Sequence, residues 1–204
     1  MSDKNNNEHI VKRTEIKLLL DEDAVLKDKF ILIPEFIEAF NIENEPAKMK
    51  IWYLDTPEQS LNKENWSVRF RYHDDCDLEL TFKKRYERNY SNADIIPGEA
   101  LNKSLMDDGF EPEIDLGVHA KTLSLSYVKK FPIQEEYLAL PLDEAKKMAL
   151  KNSPQTFDNW KENNWGFKTI NNSIFWGPVN AVEYKGTCND YKISIEIWKL
   201  DDYY

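Results

Sequence analysis

From Trp66 to Tyr86 the chain reads WSVRFRYHDDCDLELTFKKRY, alternating apolar and charged residues with a period of two on either side of a polar interruption. Val68, Phe70 and Tyr72 share one parity while Arg69 and Arg71 share the other; Leu80 and Phe82 oppose Glu79, Thr81, Lys83 and Arg85. Successive side chains of a strand point to opposite faces, so this spacing predicts two strands, each with one apolar and one charged face. His73 to Asp77 (HDDCD) is too polar to continue a strand and suits the connecting turn, which would leave His73 in solvent. Pairing the strands sets Arg69, Arg71, Lys83 and Arg85 side by side. Such a surface is either a solvated face or a cradle for an anion.

The charge of the whole chain makes that cluster informative. Its 204 residues carry a formal net charge of −10, and the mean field of an acidic protein repels nucleic acids and anionic membranes alike. General nucleic-acid binding and membrane binding are not expected, so a local concentration of cations is a deviation. Cys76 and Cys188 fall in turns without metal-ligand spacing, as expected of free thiols in a reducing compartment. Residues 1–9 (MSDKNNNEH) read as a disordered polar tail, and no apolar run reaches membrane-spanning length. No composition shift divides residues 10–204, so one cytoplasmic domain is expected.

Taken in order, IVKRTEIKLLL (Ile10 to Leu20) predicts a strand with Arg13, Glu15 and Lys17 on one parity. Asp21 and Asp23 offer caps for a helix over Ala24 to Phe30, and Pro34 opens a second helix running to Phe40. Lys48 to Leu54 reads as a strand ended by Asp55-Thr56-Pro57, followed by a short helical connection into the hairpin. Ser91 to His119, interrupted by prolines and glycines, predicts loop plus a short helix near Ala100 to Met106. Lys121 to Lys130 is a strand, Asp143 to Lys151 a helix, and Trp165 to Phe175 contains a further strand. A final hairpin joins AVEYKG (Ala181 to Gly186) to YKISIEIWKL (Tyr191 to Leu200), with Ile193, Ile195 and Ile197 on one face. About seven or eight short strands with three or four helices fit an α+β barrel or sandwich.

Which face lies inside decides the function. Charged faces of antiparallel sheets ordinarily see water. The hairpin nevertheless groups three arginines with a lysine, and the first strand and closing hairpin place Glu15, Glu183 and Glu196 on their own charged faces. Like charges about 5 Å apart at an effective dielectric of about 20 repel by about 3 kcal/mol per pair. A lumen lined by such cations therefore needs carboxylates or bound anions. The opposite arrangement, a lipocalin-like barrel, would put Val68, Phe70, Leu80, Phe82, Ile193 and Ile195 inside.

Several of these segments resemble one family. Arg13-Thr14-Glu15-Ile16-Lys17 is similar to the Glu-x-Glu-x-Lys first strand of the CYTH, or triphosphate tunnel metalloenzyme, superfamily. YLDTPEQSLNKENWSVRFRYH (Tyr53 to His73) resembles its Asp-Thr to Arg-x-Arg segment, ELTFKKR (Glu79 to Arg85) its Leu-Thr-x-Lys strand, and the closing hairpin its acidic last hairpin. Ser91 to Asn164 show no resemblance. The likeness implies a closed antiparallel eight-stranded β-barrel with a charged lumen and helices packed outside. It further implies a small triphosphate or polyphosphate ligand and Mg²⁺ or Mn²⁺. On that mapping Lys17, Arg69, Arg71, Lys83, Arg85 and Lys185 are phosphate ligands. Glu15 holds metal, and Glu183 and Glu196 hold a second metal or orient the attacking water. Arginine's planar fork suits phosphate oxygens, and phosphoryl transfer is largely positioning and electrostatic stabilisation.

Two positions depart from the pattern. Arg13 stands where the signature has its first glutamate, and Trp198 or Ser194 where the last hairpin has a second one. Hard cations want several oxygen ligands, so two readings stand: a metal-dependent triphosphatase, or a non-catalytic binder of polyphosphate or another oligoanion. The guanidinium of Arg13 leads to the expectation that anion binding depends only weakly on Mg²⁺. The apolar outer faces, including Leu123, Leu125, Tyr127 and the three isoleucines, lead to the expectation of a homodimer.

Overall fold

A computed structural model describes residues 13–42, 45–74, 77–87, 103–118, 121–132 and 139–199. Eight strands form one sheet, and their connections fix which charges meet. They are β1 (Arg13–Ile16), β4 (Ala47–Asp55), β5 (Trp66–His73), β6 (Asp77–Glu87), β7 (Glu111–Leu116), β8 (Lys121–Pro132), β9 (Ile174–Cys188) and β10 (Tyr191–Lys199). The spatial order is β1-β7-β8-β6-β5-β4-β9-β10, and β2 (Leu26–Asp28) with β3 (Ile31–Leu32) makes a separate two-stranded ribbon. The sheet curls strongly into a half-barrel. It is not closed by hydrogen bonds, because β1 and β10 remain its two edges. The expected closed barrel is corrected in that respect. The described part of β1 is four exposed residues held in parallel to β7, too little ladder to reach the far edge.

The predicted hairpin forms with the expected parity. Val68 lies opposite Phe82, Phe70 opposite Leu80, Arg69 opposite Thr81 and Arg71 opposite Glu79. Val68, Phe70, Leu80 and Phe82 are fully buried, on the outer face of the sheet. There they meet Leu105 of α3 (Lys103–Asp107), Ala145 and Ala149 of α4 (Leu142–Asn152), Phe157 of α5 (Gln155–Asp158) and Ile170 of α6 (Trp165–Asn171). The apolar set thus packs against helices, and the lipocalin-like arrangement is excluded. Trp66 anchors this core edge-on to Phe157, Trp160 and Phe110 at centroid distances of 5.0, 5.4 and 5.8 Å.

A smaller outer cluster at the other end joins Leu32, Val182 and Tyr184 to Ile195, Ile197 and the Phe36–Ile37 face of α2 (Pro34–Ala39). Leu123 and Leu125 are buried in the main core. The apolar faces behind the homodimer expectation are therefore largely covered within the chain.

Other local expectations change. The helix proposed over Ala24 to Phe30 is one turn, α1 (Glu22–Val25), capped by the Asp21 side chain, after which the β-branched and apolar residues enter the ribbon. Trp165 to Asn171 is helix rather than strand, and β9 begins only at Ile174. Gly177, at φ +117°, lets β9 bend where its register with β4 shifts between Ile51 and Tyr53. Asp55, read as a turn residue, organises the whole following loop. Its Oδ1 accepts from the backbone N–H groups of Thr56 and Leu61, and its Oδ2 from that of Asn62. His9, Cys76, His119 and the tail lie outside the described residues. His73 is in β5 and buried rather than solvated. No described helix is long and apolar enough to cross a membrane.

Candidate functional site

Strand register brings the charged parity of six strands onto the concave face. From β1 come Arg13 and Glu15, with Lys17 just beyond; β7 adds Glu113 and Asp115, β6 adds Glu79, Lys83 and Arg85, and β5 adds Arg69 and Arg71. On the far side β9 and β10 place Glu183 opposite Glu196 and Lys185 opposite Ser194. Between these charged regions the face is apolar: Met49, Ile51 and Ala181 are buried, with Tyr53, Val179 and Trp198 packed on them.

The two central arginines are held by one largely buried carboxylate. Glu79 Oε1 accepts from Arg69 Nη2 at 3.1 Å, Arg71 Nη2 at 3.2 Å and the Thr81 hydroxyl at 3.0 Å. Burial opposes ionisation of Glu79, but the adjacent guanidinium charges and the Thr81 hydrogen bond outweigh it and lower its pKa. The like-charge repulsion anticipated from the sequence is thus offset at its centre. Arg69 Nε and Arg71 Nε are buried and have no partner, and buried donors ordinarily have one.

Because its pKa is depressed from 4.5, Glu79 contributes stability that is fully present above that value and is lost as pH falls through the folded-state value. Urea unfolding below pH 4.5 should therefore show a shallower loss of stability in Glu79→Gln than in the parent chain. Equal slopes would remove this assignment.

At the β1–β7 edge the carboxylates gather. Ligand oxygens of Glu15, Glu113 and Asp115 lie within 4.8 Å of one another. Lys17 Nζ bridges Glu15 at 3.0 Å and Asp115 at 2.9 Å, while Lys83 Nζ approaches Asp115 at 3.3 Å and Glu113 at 3.5 Å. The Ser124 hydroxyl donates to Asp115 Oδ2 at 2.8 Å. Burial works against the Asp115 carboxylate, yet the Lys17 and Ser124 hydrogen bonds and the Lys83 charge hold its pKa down to about 2. Lys17 is raised: burial disfavours its charge, and its two carboxylate partners more than compensate.

The remaining candidates are dispersed. Arg85 is exposed and donates to the Ser67 hydroxyl at 3.2 Å. Lys185 pairs with Glu183 at 3.4 Å, whose other oxygen accepts from Ser194. Glu196 has both oxygens engaged, one by Arg71 at 3.3 Å and one by the Trp198 indole N–H at 2.8 Å. The grouping therefore unites Glu15 with Glu113 and Asp115, while Glu183 and Glu196 lie toward the opposite edge. Glu113 and Asp115 were absent from the sequence candidates. The run Glu111-Pro-Glu-Ile-Asp carried the signal, since its acidic residues alternate, but Pro112 and the flanking Gly109 and Gly117 disguised a strand. Arg13, for its part, pairs with Glu113 at 3.6 Å and is largely exposed.

An all-oxygen set of three clustered carboxylates is the donor chemistry that hard cations such as Mg²⁺ and Mn²⁺ select, so the residues present fit a divalent ion. The fold and face together define a class: a curled α+β sheet with helices on its outer side and mixed charges in its concavity. Among solved structures, the chain is similar to a protein from Hippeastrum described as a putative adenylyl cyclase that reveals a dominant triphosphatase activity. The TM-score is 0.50 at 10% identity, over 82% of this chain and 69% of that one. At such identity the likeness is one of fold. No family profile and no curated protein sequence matches the chain.

Proposed function

We propose that the concave face binds a small triphosphate (inorganic tripolyphosphate, thiamine triphosphate or a nucleoside triphosphate) with a divalent cation, and hydrolyses it. The observation that carries this reading is the partly buried pair Arg69 and Arg71, whose buried Nε donors are unpartnered on the face that also carries Lys83 and the carboxylate triad. The activity of the structural neighbour supports it. In this reading Arg69, Arg71 and Lys83 grip phosphate oxygens, with Lys17, Arg85 and Lys185 at the margins. Glu15, Glu113 and Asp115 hold the cation, which supplies neutralisation of phosphoryl charge. Glu183 and Glu196 are the carboxylates for a second cation. The chain's own part is to fix the anion in a partly desolvated concavity, where each charge-assisted contact contributes about 1.5–3 kcal/mol.

Arg71→Ala or Lys83→Ala should weaken tripolyphosphate binding at least about tenfold, in a salt-sensitive manner, without unfolding the chain. Unchanged titration isotherms for both would overturn the reading. A second reading, a binder without turnover, is favoured by the engagement of Glu196 with Arg71 and Trp198. Phosphate release from a panel of triphosphates with Mg²⁺ or Mn²⁺ separates the two.

A further inference from the structure

We infer that Lys17 and Lys83 are internal counter-ions standing in the place of the divalent cation. Metal binding then releases both ammonium groups to the anion, and the two ligands bind with strong positive coupling. The inference rests on the reading that the concave face takes a metal and a triphosphate, and adds how that site is regulated.

Each lysine bridges two members of the triad. Lys17 spans Glu15 and Asp115, and Lys83 spans Glu113 and Asp115. Asp115 has both oxygens taken, Oδ1 by Lys17 and Oδ2 by Lys83 and Ser124. Glu113 has both taken as well, Oε2 by Lys83 and Oε1 by Arg13. A divalent ion must use some of these same oxygens. An ammonium left beside it would be strongly repelled by its double charge, so cation and lysines compete. Lysine is suited to leave, being a point charge on a flexible four-carbon stem. The Lys17 side chain is half exposed and has solvent to enter.

The electrostatic consequence is specific. Without metal, the cations near the triad and along β5 and β6 are largely matched by Glu79, Glu196 and the triad itself. The concavity is close to self-neutral, and an anion alone gains little. When a divalent ion takes over the triad, two ammonium charges become available on the face that carries Arg69 and Arg71. An anion that then engages them prevents their return, and linkage requires that anion and metal raise each other's affinity by the same factor. This replaces the expectation that anion binding depends only weakly on metal. Arg13, an exposed counter-ion of Glu113, is a third cation that the metal must displace.

The test is calorimetric titration of Mn²⁺ into the metal-free full chain, with and without tripolyphosphate, for the parent and for Lys17→Met and Lys83→Met. Lys130→Met removes the same charge from a pair with Asp77 (3.1 Å) on the same sheet and serves as control. Without anion, each triad-lysine variant should bind Mn²⁺ at least fivefold more tightly than the parent, with the control unchanged. The gain in Mn²⁺ affinity on adding tripolyphosphate should fall at least tenfold in the same two variants. Equal or weaker Mn²⁺ binding by both variants would overturn the inference, since lysines that merely brace the triad would loosen it when removed. An equal gain in the control, or no Mn²⁺ binding by any form, would overturn it too. If tripolyphosphate binds neither with nor without Mn²⁺, the triphosphate reading fails and the coupling with it. The anion-free titrations still decide whether the lysines hold the ion's place.

Discussion

Asp115→Asn is expected to lower Mn²⁺ affinity and metal-dependent tripolyphosphate hydrolysis by at least about a hundredfold, above the ten- to hundredfold typical of residues that only orient a metal's ligands. Asp115 is the hub of the acidic edge, touching Lys17, Lys83 and Ser124 at once. Asparagine keeps the size and one acceptor but removes the charge that gathers the lysines. Glu196→Gln, at the opposite edge and already engaged by Arg71 and Trp198, should cost less than Asp115→Asn. Parallel phosphate-release and Mn²⁺ titrations on the two variants check this order. A reversed order would move the metal centre to the closing hairpin, where the sequence alone had put two of its three ligands.

The second large effect concerns stability. Trp66→Ala should destabilise the fold by about 3–5 kcal/mol and lower the melting temperature by about 10 °C. The residue is 2% exposed, and its indole packs against the rings of Phe110, Phe157 and Trp160. Lys84 sits over the same aromatic group, 4.5 Å from the Trp160 ring, and donates to the Glu64 carbonyl. Trp66→Phe should cost far less, because the indole Nε1 is buried without a partner and its loss breaks no hydrogen bond. Thermal unfolding of both variants tests this, and equal losses would mean that ring volume is not what matters there.

The hairpin was legible because alternation over eight and eleven residues leaves little choice of face. The inside-out arrangement, with charges in the concavity, was suggested by the crowding of Arg69, Arg71, Lys83 and Arg85 but chosen over a solvated face only with the family resemblance. Elsewhere local pattern failed for identifiable reasons. Trp165 to Ile170 mixes aromatic and β-branched residues, as strands do, but the segment is helical, with Ile170 buried in the main core and Trp165 packed against Phe157. β7 was missed because prolines and glycines usually punctuate strands, whereas Pro112 stands near the edge of this one. The two members of the acidic triad on that strand, Glu113 and Asp115, were missed with it. Closure of the sheet depends on two chain ends finding each other, and no local spacing encodes that.

The parallel pairing of β1 with β7 joins Arg13–Ile16 to Glu113–Leu116 across most of the first half of the chain. Like the pairing of β4 with β9, it must close a long loop, but here only four described residue pairs repay that closure. Its four described residues are exposed and contribute nothing to the main core. Docking of β1 is therefore expected to be separable from formation of the main core, with Glu15 and Lys17 arriving with it. The chain can hold a folded scaffold with its arginine pair in place while the acidic edge is still being assembled. Assembly of the acidic edge and stability of the main core are then set by different parts of the sequence.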